Sequence, residues 1–461
     1  MSRNFKTAAI IFIIFAMCFS MLGMTACDDA PEDEKPGGIY CGVPSDPGCS
    51  VRGPEGDIVF TFSPAAANAD YKAAADRYVD AFLEKYPQVN VERDYTALTD
   101  TRMSTYDVGD VFYFAEALVY KYTMYERLLL PLDGFFDYFD IDISDIYSEI
   151  YSTGFVEGRM YFVPNGYYQP VLIYNKTVTD KAGMASEIKP DWTWEEFRDI
   201  ASRLYDETGD YYPLRYNITD SLRFIPFLEA YTPSRDTWCS TSEKRITFLD
   251  EEGSILRAIG EILDMAHKNQ VVFPGINDMD EAVTGKEPVF SDIVYTNVLT
   301  QAEAYDKANI EWDVVNMPLF PNPSFGCGAA GVGVFSRTRN IQASAAFALF
   351  FLTPDGQRAF NSGRGGAVPL LKSLHEEGFD AWKYPNDQKL SSKNWDAFIY
   401  LAGSASTVSQ PYSRMPAEVS NAILNQIGTI LTNDLRGSMD YVEGFRLLEE
   451  RCNDIWERLI V

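Results

Sequence analysis

Two histidines in 461 residues leave little from which to build an imidazole metal centre or a Ser-His-Asp relay. Neither lies beside a metal-ligand spacing, and His267 and His375 both read as surface residues. The seven cysteines show no C-x-x-C spacing, so neither a thiolate zinc site nor a disulfide framework is supported. Positive charge is also scarce: 39 Lys+Arg stand against 67 Asp+Glu, a net charge of −28. A surface this acidic repels DNA, RNA and anionic lipid, which excludes partners held mainly through phosphates. Past residue 26 there is no run of eighteen apolar residues, so no later membrane-spanning helix is expected. What the chain does have is length, 46% hydrophobic residues and 65 aromatics (28 Tyr, 30 Phe, 7 Trp). The length implies two or three lobes, and the hydrophobic content excludes wholesale disorder. The aromatics exceed what a core needs, so some are expected to face a ligand.

The first 26 residues carry Arg3 and Lys6 and then an apolar run from Thr7 to Ala26. That order is the pattern of a secretory signal. The small residues ending at Ala26 and followed by Cys27 are similar to a bacterial lipobox, in which the Cys is acylated and becomes the new N-terminus. An uncleaved membrane helix is the alternative, and both readings put the rest of the chain outside the membrane. Residues 27–56 read as an acidic tether with five Pro and six Gly between Asp28 and Gly56, too polar to fold alone. Cys41 and Cys49 could bridge within it. Cys239, Cys327 and Cys452 read as buried thiols.

Beyond the tether the pattern alternates between strand and helix. Asp57 to Phe62 reads as a buried strand broken by Ser63-Pro64. Tyr71, Ala74, Ala75, Tyr78, Phe82 and Tyr86 recur at three and four residues, a helix that Pro87 ends. Val89 to Tyr95 and Asp110 to Phe114 are further strands, so the chain opens as a parallel α/β unit. Ligands in such sheets bind beyond the carboxyl ends of the strands, here near Ser63 and Phe114 to Glu116. Gly158–Pro164 and Val171–Asn175 are β runs separated by Asn165 to Pro170. Thr193 with Glu196 three residues later forms a capping box for a helix through Leu204. Ile255 to His267 repeats the helical pattern, Glu311 to Met317 is strand-like, and Pro318 to Pro323 reads as a crossing loop. Gly331 to Phe335 leads into the apolar helix Ala343 to Leu352. Two amphipathic helices, roughly Ala417 to Leu431 and Met439 to Ile460, close the chain.

Four segments resemble the family 1 extracellular solute-binding proteins, the maltose-type substrate receptors of ABC importers. Gly109-Asp-Val-Phe-Tyr-Phe114 with Leu128 to Asp133 is similar to that family's "PD(I/V)" strand and its "P-L-D" turn. Glu157 to Pro164 with Leu172-Ile-Tyr-Asn-Lys176 resembles "G-K-x-Y-x-x-P … L-x-Y-N-K". Pro190-Asp-Trp-Thr-Trp-Glu-Glu-Phe197 is close to "P-x-T-W-x-E-F". The fourth runs from Gly331 through Ala345 to Leu352 and on to Gly366-Ala-Val-Pro369. The resemblance implies a two-lobed periplasmic-binding-protein-like (type II) α/β fold, with hinge crossings and a ligand cleft between the lobes. It places one lobe at 57–166 plus 320–369 and the other at 172–318 plus 370–461.

By the same resemblance, the ligand-binding residues are Ser63, Phe114, Glu116, Tyr168, Gln169, Asn217, Asp292, Tyr295, Tyr412 and Arg414. Tyr167 could equally be the hinge aromatic that faces the cleft. Ala117 and Leu118 stand where some maltose-type members carry Asp and Arg, which counts against a maltose-like ligand. The side chains suit a neutral polyol, whose CH faces stack on rings and whose hydroxyls need paired donors and acceptors. Gly363-Arg-Gly-Gly366 lacks the spacing of a phosphate-binding loop and reads as a turn. The reading is a non-catalytic, monomeric receptor, anchored by lipid on Cys27, which delivers a sugar or oligosaccharide to an ABC permease without a cofactor. An anchored carbohydrate-active enzyme and a sensory solute receptor are the alternatives.

Overall fold

The computed structural model describes residues 54–232, 237–276, 285–376, 382–404, 407–409 and 415–459. The signal segment, Cys27, Cys41, Cys49 and most of the tether lie outside them. In chain order the strands of the two large sheets are β1 (Gly56–Thr61), β2 (Val89–Asp94), β3 (Val111–Ala115), β4 (Val163–Pro164) and β5 (Val171–Asn175). They continue as β6 (Tyr211–Arg215), β7 (Val271–Val272), β8 (Glu287–Ile293), β9 (Trp312–Asn316) and β10 (Ala330–Val334). The principal helices are α1 (Ala69–Lys85), α2 (Trp194–Thr208), α3 (Ser254–His267), α4 (Tyr295–Lys307), α5 (Ile341–Leu349), α6 (Pro354–Asn361), α7 (Ala417–Leu435) and α8 (Tyr441–Arg458).

The first sheet has the order β2-β1-β3-β10-β4 and the second β7-β6-β8-β5-β9. β1 is parallel to both β2 and β3, while β10 runs antiparallel to β3 and β4. In the second sheet β6, β7 and β8 are parallel, and β5 runs antiparallel to β8 and β9. The strand order is therefore not the chain order: β10 returns to the first sheet after the whole second sheet has been built. That return makes two lobes joined by crossings.

The first lobe forms because β1 is apolar on both faces and needs helices to cover it. α1 supplies one cover. Asn68 caps its N-terminus by accepting from the Asp70 amide at 2.8 Å, and Ala74, Ala75, Tyr78, Val79 and Phe82 turn inward. The Tyr78 ring stacks on Phe351 at 3.7 Å. In the second lobe the expected capping box is present: the Thr193 hydroxyl accepts from the Glu196 amide at 3.1 Å, and Glu196 accepts from the Thr193 amide at 2.7 Å. Trp192, Trp194 and Phe197 then enter a core that also takes in α3, α7 and α8.

Several details differ from the sequence reading. Phe320 packs into the second core beside Trp194 and Phe227, not into the first lobe. Leu371 bridges to Ile146 of the first lobe, so the chain leaves that lobe later than residue 369. His375 is buried, with Nε2 against the Pro369 carbonyl at 2.7 Å and its ring beside Tyr147 and Trp382. Cys239 and Cys452 are both buried. Among the described residues no helix is long and apolar enough to cross a membrane.

Candidate functional site

The crossings are tied to each other. Tyr168 and Gly328 exchange backbone hydrogen bonds at 3.2 and 3.0 Å, and the Asn165 amide donates to Ala330 at 2.9 Å. The carboxyl ends of β1 and β3 meet this ladder. Ser63 follows β1 and opens a short 3₁₀ turn, half-buried. Phe62 lies 4.7 Å from the Tyr113 ring, edge-on. The Tyr113 and Tyr168 side chains lie near each other, and Tyr71 of α1 is the electrostatic neighbour of both. Tyr168 Oη also reaches Asn165 Oδ1 at 3.4 Å. Burial pushes the Tyr113 and Tyr168 hydroxyls above their ordinary range, so both stay neutral donors. Tyr71, Tyr113 and Tyr168 each keep part of their surface exposed. They present rings and hydroxyls together, which is the chemistry that a polyol face requires.

Of the hinge aromatics, Tyr167 is fully buried and Tyr168 is the partly exposed one. Gln169 is buried, accepting from the Tyr167 hydroxyl and donating to the Ala397 and Tyr400 carbonyls at 3.4 Å. Its amide thus fastens the 395–400 segment to the crossing. Phe114 is 5% exposed, with Phe112, Tyr122 and Phe162 within 5.3 Å. Successive residues of a strand face opposite ways, so the β3 aromatic that joins the tyrosine cluster is Tyr113, in place of Phe114. Glu116 is 3% exposed. Its Oε2 accepts from the Ala329 amide at 2.7 Å, its own amide donates to the Ala329 carbonyl at 3.1 Å, and Oε1 has no partner among the described residues. Burial pushes its carboxyl up to about 8.

On the second lobe Asn217 and Asp292 come together at the carboxyl ends of β6 and β8. The Asn217 amide donates to Asp292 Oδ1 at 2.7 Å, and Asp292 is ion-paired with Arg223, which also reaches Asp220 at 3.1 Å. Arg223 escaped the sequence reading because no motif marks it. Tyr295 starts α4 and is 6% exposed, not set in an open cleft. Its ring lies within 5.8 Å of Trp382, Trp395 and Phe398, and its hydroxyl donates to Tyr384 at 3.1 Å. Tyr412 and Arg414 lie outside the described residues. No cluster of metal-ligating side chains occurs among the described residues.

Two α/β lobes, paired crossings and polar aromatic groups at the strand ends define a class: the two-lobed receptors that bind solute between their lobes. A model of the bacterial extracellular solute-binding proteins matches residues 56–389, and the chain belongs to that family. Solved structures agree on the fold. A sugar-binding protein from Xanthomonas citri superposes with a TM-score of 0.69 at 16% identity, covering 87% of this chain and 98% of that one. An ABC substrate-binding protein from Listeria monocytogenes, in complex with cycloalternan, gives 0.67 at 18%, covering 87% and 99%. A Mycobacterium tuberculosis protein in complex with glycerophosphocholine gives 0.63 at 17%, covering 88% and 100%. No curated protein matches the sequence.

Proposed function

We propose that this protein is a lipid-anchored extracytoplasmic receptor that captures a sugar or oligosaccharide between its lobes and hands it to an ABC permease. The observation that carries the reading is the cluster of Tyr71, Tyr113 and Tyr168 at the strand ends beside the crossings. Rings there can stack on a sugar's CH faces while their hydroxyls pair with its OH groups. Solute-binding family membership and neighbours solved with cycloalternan or described as sugar-binding support the same ligand class. Anchoring through Cys27 rests on the sequence pattern alone, and Tyr412 and Arg414 remain proposed contacts from the late loop.

The test is a thermal-shift and calorimetry panel of mono- and oligosaccharides, polyols, polyamines and a glycerophosphodiester. A saturable shift with a sugar recovered chemically unchanged is the expected result. Turnover of the sugar would favour an enzyme, and a response only to polyamine or phosphodiester would replace the ligand class. Tyr113→Ala and Tyr168→Ala should each weaken the sugar hit by about tenfold or more, the scale of losing one buried ring face.

A further inference from the structure

The turn Gly363-Arg-Gly-Gly366 has a place in the fold that its sequence did not reveal. Gly365 has φ +82°, and a Cβ there would stand 2.1 Å from the Asp70 carbonyl oxygen and 2.7 Å from the Tyr71 amide. Only glycine permits both that conformation and that approach. The Arg364 carbonyl accepts from Arg77 at 3.4 Å, and the same guanidinium donates to the Ala359 and Phe360 carbonyls at 3.2 Å. The backbone of Arg364 is therefore fastened to α1 and the end of α6, both in the first lobe. Its side chain leaves that lobe and pairs with Glu303 on α4 of the second. The contact is separate from the crossings near residues 165–170 and 317–329, so the hinge alone does not enforce it.

We infer that Arg364 and Glu303 form a latch between the lobes, which favours the arrangement seen here and so sets ligand affinity without touching the ligand. The affinity part rests on the receptor function proposed above. A contact made in one arrangement and lost in the other shifts the equilibrium by its own free energy. Both partners are about half exposed, at 46% and 47%, so salt screens the pair. The groups facing it are Asp70 and Tyr384 beside Arg364, and Asp306 and Lys307 beside Glu303. Arg364 holds the Glu303 carboxyl below its ordinary range, so the pair stays charged at neutral pH.

Glu303→Gln, Arg364→Gln and the double reversal Glu303→Arg with Arg364→Glu test the latch. Dyes on Glu84→Cys in the first lobe and Lys268→Cys in the second report lobe separation without any ligand. Each single variant should lengthen that distance in low salt and weaken the best sugar of the panel by roughly 1.5- to 5-fold, the range of an exposed ion pair. The difference should vanish at about 1 M NaCl, and the double reversal should restore both readings. Unchanged melting temperatures would show that the variants are folded. Single variants with the parent's distance distribution and salt response would overturn the latch. If no sugar binds, the proposed ligand class fails while the distance measurement still decides the latch.

Discussion

A carboxyl that is buried at the crossings with one oxygen partnerless should make itself felt in the pH dependence of folding. Glu116 holds its proton up to about pH 8 in the folded chain, against about 4.5 when unfolded. The folded state therefore binds the proton more tightly, and stability falls as pH rises through that window. The loss is on the order of 5 kcal/mol across the whole window and about 3 kcal/mol by neutral pH. Glu116→Gln keeps an acceptor for the Ala329 amide and has no proton to lose. Urea melts at pH 5, 7 and 8 should then show the parent weakening relative to the variant, with the variant the more stable at pH 8. Parallel curves would show that Glu116 is not the group titrating. Tyr295 poses a different question, since its ring is enclosed by Trp382, Trp395 and Phe398. Tyr295→Ala should lower unfolding free energy by about 3–5 kcal/mol, as for other aromatic cavities. Tyr295→Phe removes the hydroxyl that donates to Tyr384 and should lose about 1 kcal/mol. Equal, small losses for both would mean that the ring is not part of a packed cluster.

Several elements were readable from a period or a cap in the sequence. The inward positions of α1 follow the three- and four-residue spacing of Ala74, Ala75, Tyr78 and Phe82, and Thr193 with Glu196 marked the start of α2. Thr193→Ala should therefore lower stability by about 1 kcal/mol, seen as a shifted urea midpoint with unchanged slope, while affinity for the panel's sugar stays put. A lowered affinity would mean that the cap also orders the crossing, because the Trp194 amide donates to the Leu319 carbonyl at 2.8 Å. The site was less legible than the elements. In Val111-Phe-Tyr-Phe-Ala115 aromatics occupy both faces, so no alternation shows which one looks toward the ligand. Tyr71 read as one more residue on a helix face, and only the fold brings it to Tyr113 and Tyr168. The segment 382–404 was silent for another reason. It is built of short 3₁₀ turns without a period, and its Trp382, Tyr384, Trp395 and Phe398 find Tyr295 only through contacts distant in sequence. Arg364 likewise sat in a stretch that reads as a mere turn.

At the scale of the whole molecule, charge decides how the proposed anchor must work. Removal of residues 1–26 takes away Arg3 and Lys6 and no acidic residue, so 39 − 2 = 37 positive charges face 67 negative ones, a net of −30. A single acyl chain gives only marginal, reversible membrane binding, and stable attachment needs a second chain or a basic patch. The charged residues that follow Cys27 are Asp28, Asp29, Glu32, Asp33 and Glu34 and then Lys35, the reverse of a basic patch. An anionic leaflet would repel that stretch. Attachment through Cys27 therefore requires more than one acyl chain on that residue or its new amino group. Intact-mass analysis of protein extracted from membranes should show a chain beginning at Cys27 with an added mass of at least two chains. Membrane association should survive a wash at about 1 M NaCl, because screening removes repulsion and leaves the apolar contribution in place. Cys27→Ala should appear in the soluble extracytoplasmic fraction with the parent's melting temperature and sugar affinity, or stay unprocessed. Native protein that still carries residues 1–26, or a single-chain adduct that resists washing, would sink this account of the anchor.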